Sequence, residues 1–204
     1  MITPSSGASS VCEYTVVEHR HRFAMWAAAR AASRGLGGAT TRTLSKAITL
    51  CGVAAVASGP LVQWPSSAGE FDVAHDTWCR AALAALGADG VTDATYGRVA
   101  KLVAIYLKTM VVVAGAHDTP FGRVIHPPID ELLLRALART TRFSKTSRRL
   151  WGTTTWTKLD AASYARLIRS LRDEGLDSPA FWKVEEYWRP TQADVGLPPR
   201  GPAV

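Results

Sequence analysis

Three cysteines, three methionines and the absence of any long unbroken apolar run mark what this 204-residue sequence does without. Cys12, Cys51 and Cys79 are odd in number and lack paired spacing, so they signal neither a disulfide framework nor a zinc site and point to a reducing compartment. Residues 1–11 do not run basic and then apolar, so no signal peptide is read there. The two most apolar runs, 44–62 and 102–116, are broken by Gly52, Gly59 and Pro60 or by Lys108, and neither reads as a bilayer span. The expected location is the cytoplasm, with no membrane partner. The glycine-rich Gly35-Leu36-Gly37-Gly38 has no strand before it and no Gly-Lys-Ser or Gly-Lys-Thr after it, which excludes a phosphate loop. Acidic residues are also scarce: 17 stand against 24 basic ones, giving a net charge of +7 and a pI near 9.7. Such a surface attracts polyanions, and nucleic acid is the obvious partner class. The alanine and arginine bias of a high-GC genome would produce the same balance with no partner at all.

What is present reads as helices, about seven of them, and no strand. The chain divides into a serine-rich tail (1–12), one helical domain (13–190) and a Pro/Gly tail (191–204). Thr15 with Glu18 opens a first helix over 16–33, on which His19, Phe23, Trp26 and Arg30 share a face. Core packing is the expected role of Phe23 and Trp26, and a base pocket lined by them is the alternative. His19 and His21 point about 200° apart and cannot chelate one metal together. A short helix over 43–51 ends at Gly52, 58–69 is a loop, and 71–86 is a helix closed by Gly87. Its buried stripe is Phe71, Ala74, Trp78, Ala81, Ala82 and Ala85, with His75 and Asp76 lacking a partner at ligand spacing, so no metal is expected. Further on, 138–158 is read as a basic loop in which Arg139, Arg142, Lys145, Arg148, Arg149 and Lys158 alternate with Phe143, Trp151 and Trp156. That mixture suits phosphate contacts and base stacking, and equally a merely solvated loop. Asp160 caps a helix closed by Gly175, and Ser178-Pro179 starts a last one ended by Pro190.

The stretch 96–137 is the most informative. Capped by Thr92 or Asp93, its first helix buries Val99, Val103, Tyr106 or Leu107, and Met110, and turns Arg98, Lys101, Ile105 and Lys108 to another face. A loop with three prolines follows, and a second helix begins near Ile129 with Asp130 in its first turn. Orphan backbone N–H groups and the positive end of the helix dipole keep a carboxylate charged there. Helix capping alone would account for that aspartate.

A lysine on one helix, then Pro128-Ile129-Asp130 at a helix start followed by Leu132-Leu133-Leu134 and Leu137, resembles the helix-hairpin-helix base-excision DNA glycosylases. The run from Ala100 to Lys108 is most similar to their archaeal oxoguanine branch. About forty residues carry the likeness. The family's usual Leu-Pro-Gly-Val-Gly-x-Lys hairpin is reduced here to Gly97, with Lys101 four residues after it, and Lys108 is the second candidate nucleophile. The resemblance implies an all-α, two-lobed helical domain, monomeric and free of cofactors. Such a domain flips a damaged or modified base out of DNA and excises it, leaving an abasic site, in repair or in defence against phage. The base would be an oxidised purine or a hypermodified phage cytosine. Asp130 would stabilise the positive charge left on the sugar, and Lys101 would attack C1′ or contact phosphate. Arg98, Lys108, Arg142, Lys145, Arg148, Arg149 and Lys158 would contact DNA, with His126, Phe23 and Trp26 as pocket candidates. The alternatives are a non-enzymatic helical DNA-binding protein, and a helical protein that binds a partner or small ligand with its seven tryptophans inside.

Overall fold

A computed structural model describes residues 14–188; the two expected tails, Cys12 and Pro190 lie outside the described residues. Among these residues the chain is an all-α bundle without strands, made of nine α-helices and short 3-10 turns around one apolar core. The helices are α1 (Val16–Ala32), α2 (Thr41–Leu50), α3 (Val53–Ser58), α4 (Ala68–Ala88), α5 (Tyr96–Leu107), α6 (Pro120–Val124), α7 (Glu131–Arg139), α8 (Lys145–Thr153) and α9 (Ala161–Asp173).

Helix α5 is the axis of the bundle, with nine buried residues. Thr95, not Thr92 or Asp93, supplies the N-cap, its hydroxyl oxygen accepting from the Arg98 N–H. That choice follows from where the helix must start to place Val99, Val103, Tyr106, Leu107 and Met110 inward, as the apolar spacing required. Beyond Leu107 the winding loosens into a π-type segment, Lys108–Ala116. Together Tyr96–Ala116 are long and apolar enough to cross a membrane by length and composition, yet half of that stretch is buried inside the bundle.

Helix α1 lies along α5 through Ala24, Ala28, Ala29 and Ala32, all at most 1% exposed. Side chains this small let two helix backbones approach closely, and the large rings of α1 are left outside. Phe23 and Trp26 are each 53% exposed, which overturns their expected core role. Helix α4 buries Phe71, Trp78 and Ala82 as expected, together with His75, Cys79 and Leu86, whereas Ala74, Ala81 and Ala85 are only partly covered. It runs past Gly87 to Ala88, and the left-handed turn falls at Gly90, φ 80°. The helix before Gly52 does end there, as expected: α2 stops at Leu50 and Gly52 turns left-handed, φ 88°, before α3 begins.

Three further segments differ from the sequence expectation. The basic stretch after α7 is not a loop: Ser144 caps α8, whose Trp151 is fully buried and donates its indole N–H to Ser170 Oγ at 2.9 Å. The last element is a 3-10 helix, Phe181–Tyr187, with Phe181 and Val184 buried. Gly97, the one glycine left of the hairpin pattern, faces protein: a Cβ there would sit 2.1 Å from the Trp156 carbonyl oxygen. It serves a close helix-to-turn contact, not an approach to phosphate.

Candidate active site

The long return from α5 through α6 brings Asp130 back onto Lys101, 29 positions away in sequence. Lys101 Nζ donates to Asp130 Oδ2 at 3.2 Å, with the two side chains only 11% and 14% exposed. Asp130 is the N-cap of α7, and its other oxygen, Oδ1, accepts the Leu133 N–H at 3.0 Å. Capping and ion pairing thus use different oxygens, so one role does not exhaust the residue. A third donor, the Trp188 indole Nε1–H, reaches Oδ2 at 3.1 Å. On the other side the Lys101 ammonium lies 4.6 Å from the centre of the Trp156 ring. An ionised carboxylate with three donors and an amine packed on an aromatic face make a preorganised, largely desolvated charge pair.

Two turns beyond Lys101, at the start of the π-type segment, Lys108 pairs with Glu185, and its ammonium lies 5.6 Å from the Trp188 ring. Burial raises the Glu185 carboxyl above the usual carboxylate range; Lys108 opposes that shift and the Asp130 charge adds to it. Next to this pair is an open cavity of 600 Å³ lined by Lys108, Val112, Val113, Trp182, Glu185 and their neighbours. The sequence did not single out Trp182, Glu185 or Trp188. The mixture of aromatic and acidic residues in 181–188 is the available signal for them.

Several residues expected to meet DNA are committed to the fold. Arg98 donates to the carbonyl oxygens of Arg34 at 2.8 Å and Gly35 at 3.0 Å, closing the end of α1. Arg148 Nε donates to the Ala138 carbonyl at 2.9 Å. Lys108 is held by Glu185. By contrast Arg142, Lys145, Arg149 and Lys158 are exposed and have no ion-pair partner among the described residues. Lys145 and Arg149 flank a shallow depression on α8 with Thr146 and Thr153.

The three expected pocket residues do not meet. Phe23 and Trp26 stand on the outer face of α1, and His126, 3% exposed, belongs to a separate buried network. There Arg172 grips Asp72 through two hydrogen bonds of 2.6 and 2.7 Å, and His126 Nε2 lies 2.9 Å from Asp72 Oδ1. Since that carboxylate oxygen can only accept, His126 carries its proton on Nε2, which leaves Nδ1 to accept from the Tyr164 hydroxyl at 3.3 Å. His75 stacks on Tyr164 with ring centres 5.3 Å apart and lies 4.7 Å from the His126 ring. Burial depresses both histidines, the neighbouring His126 adding to the effect on His75. It raises the Tyr164 hydroxyl, while the Asp72 carboxyl is held far below its usual range by Arg172 and His126 in spite of burial. Helices α4 and α9 and the 125–130 segment are clamped together by this network.

His19 is exposed beside Tyr14, and His21 Nδ1 lies 2.9 Å from the Tyr106 hydroxyl, so the two are engaged separately. Among the described residues, no three His, Cys, Asp or Glu side chains converge as a metal site. The chain matches no protein-family model, no curated protein and no solved structure.

Proposed function

We infer that this protein is a DNA glycosylase, a monomer acting in the cytoplasm without a cofactor, with Asp130 and Lys101 as its catalytic residues. One observation carries the inference. The lysine and the aspartate that the sequence likeness picks out are separated by 29 positions, yet they form a largely desolvated pair between two tryptophans.

Extruding a base from a duplex costs a few kcal/mol, and aromatic faces with a recognising polar pair offset that cost. The cavity beside Lys108, Glu185 and Trp182 supplies one such face and the polar pair, and it replaces His126, Phe23 and Trp26 as the proposed receptor for the base. With the base seated, the C1′–N bond breaks, its electron pair leaves with the base, and Asp130 faces the positive charge that grows on the sugar. The Lys101 ammonium first passes a proton to Asp130 Oδ2, already its acceptor, and the freed Nζ lone pair then bonds C1′, so that the sugar's positive charge ends on the new C1′–N linkage. Attack by water in place of Lys101 would leave a free abasic site. The exposed cations of α8, with Arg142 and Lys158, would hold the phosphates.

The test is incubation of the protein with DNA carrying oxoguanine, uracil or alkylated bases, and with hypermodified phage DNA, followed by alkaline cleavage at abasic sites. Release that disappears in Asp130→Asn supports the assignment, names the base, and separates repair from phage defence. Salt-sensitive DNA binding with no release from any substrate would leave a non-enzymatic DNA-binding protein, the reading that the unpaired cations of α8 favour.

A further inference from the structure

Helix α1 places its large rings on the wrong side for packing. Its inner face is four alanines, while Phe23 and Trp26, each 53% exposed, lie side by side with ring centres 5.8 Å apart. Scattered apolar residues on a surface need no explanation, but a paired Phe and Trp on one outward stripe do. The same stripe continues into Arg30, one turn beyond Trp26, and Arg34 follows just after the helix; both are exposed. Between Phe23 and Arg30 the helix rises only about 10 Å. The single acidic residue of α1, Glu18, is taken up by Arg22. The stripe therefore presents two π faces and two unpaired cations, with no free carboxylate.

We propose that this outer stripe of α1 is a binding platform for unpaired nucleic acid, with bases stacking on Trp26 and Phe23 and phosphates meeting Arg30 and Arg34. A strand with its bases exposed is the partner that offers a π face and a negative charge at each repeat, and stacking is tolerant of sequence because every base has such a face. A duplex hides those faces. The proposal rests on the DNA reading and adds a second contact surface to it, away from the Lys101–Asp130 pair. It would hold a strand that has been opened or has lost its partner.

The experiment measures anisotropy of a labelled oligothymidine of about 20 nucleotides, across a salt series, with wild type, the double variant Phe23→Ala/Trp26→Ala and the double variant Arg30→Gln/Arg34→Gln. All four side chains are exposed, so thermal unfolding should be unchanged in both variants. Loss of both rings should weaken binding at least about 30-fold at every salt concentration, because stacking is lost and phosphate contacts are kept. Loss of both arginines should flatten the salt dependence, by about 1.4 units of slope. If wild type binds the strand and the ring variant binds equally well, the platform is refuted while the glycosylase assignment stands. If wild type binds no nucleic acid at all, both fall. Anionic phosphatidylserine vesicles serve as the second arm: capture that depends on the two rings, with oligothymidine binding unaffected, would make the stripe a lipid contact and overturn the proposal.

Discussion

Replacing Gly97 by alanine adds one methyl group and should loosen the whole region around Lys101. The new Cβ would stand 2.1 Å from the Trp156 carbonyl oxygen and 3.0 Å from Leu159 Cβ. Ordinary contact needs the turn to retreat by about 1 Å or more. That turn is tied to α5 by the Gly97 N–H donating to the Leu159 carbonyl at 3.0 Å and the Thr95 hydroxyl donating to the Thr157 carbonyl at 2.8 Å. Overpacking of this kind costs about 1–3 kcal/mol, and a weakened hydrogen bond about 1 more. Alanine returns about 1 kcal/mol through its better helix propensity. Because one clashing partner is backbone, the upper end applies, and the net loss should be about 3 kcal/mol. For a chain of this length that is a fall of roughly 6–12 °C in Tm, read by circular dichroism. A second readout follows from geometry, since the ring that packs on the Lys101 ammonium belongs to the displaced turn. Borohydride trapping of DNA, if present in wild type, should fall even at temperatures where the variant is folded. Gly87→Ala is the control: that glycine lies in α4 with open space around it, and alanine there should raise stability by up to about 1 kcal/mol. A Gly97→Ala protein that melts within about a degree of wild type would refute the packing account.

Asp130→Asn keeps an oxygen for the Leu133 N–H but leaves the Lys101 ammonium without its counter-charge. It should cost about 1–3 kcal/mol by urea unfolding and reduce base release at least about 100-fold, with DNA affinity close to wild type. Full base release would reduce Asp130 to a helix cap. Lys101→Ala should abolish borohydride-trapped adducts; adducts that persist would move the nucleophile to Lys108. Trp188→Phe, which removes the indole N–H from Asp130 Oδ2 and leaves a smaller aromatic ring, should lower the rate of base release while leaving Tm within a few degrees. Stability should also depend on pH through His75 and His126. Both are held below the ordinary histidine value of 6.5, so below that pH the unfolded chain takes up protons that the folded one refuses. Stability is therefore present above about pH 6.5 and declines as pH falls, by up to about 1.4 kcal/mol per unit for each histidine. Asp72, held low by Arg172, adds its own loss only once pH drops below its unfolded value of 3.8. Urea unfolding from pH 7 to pH 5 measures this, and His75→Phe should roughly halve the slope. A flat profile would contradict the burial account of both rings.

Much of the architecture was legible because its signals are local. Apolar steps of three and four residues gave the buried face of α5, and hydroxyl or carboxyl caps at Thr15, Asp130 and Asp160 marked helix starts. Errors came where a local signal had two meanings. Gly87 sits inside α4, since glycine is permitted as well as required in a helix, and the positive φ falls at Gly90. The cations of 138–158 suggested a loop, but Leu150 and Trp151 turn one face of that segment inward and make it α8.

Chain composition and spacing by themselves determined an all-α protein of basic character, with Lys101 on the partly exposed side of α5 and Asp130 at a helix start. Which side chains share a site was decided by tertiary structure. The Lys101–Asp130 pair depends on a return path of 29 positions, and the donation from Trp188 to Asp130 spans 58. His126 is locked onto Asp72 across 54 positions, and Arg172, 46 positions from His126, grips the same carboxylate. Residues this far apart meet only because the bundle must bury one continuous core, and sequence spacing within a helix carries no information about that closure.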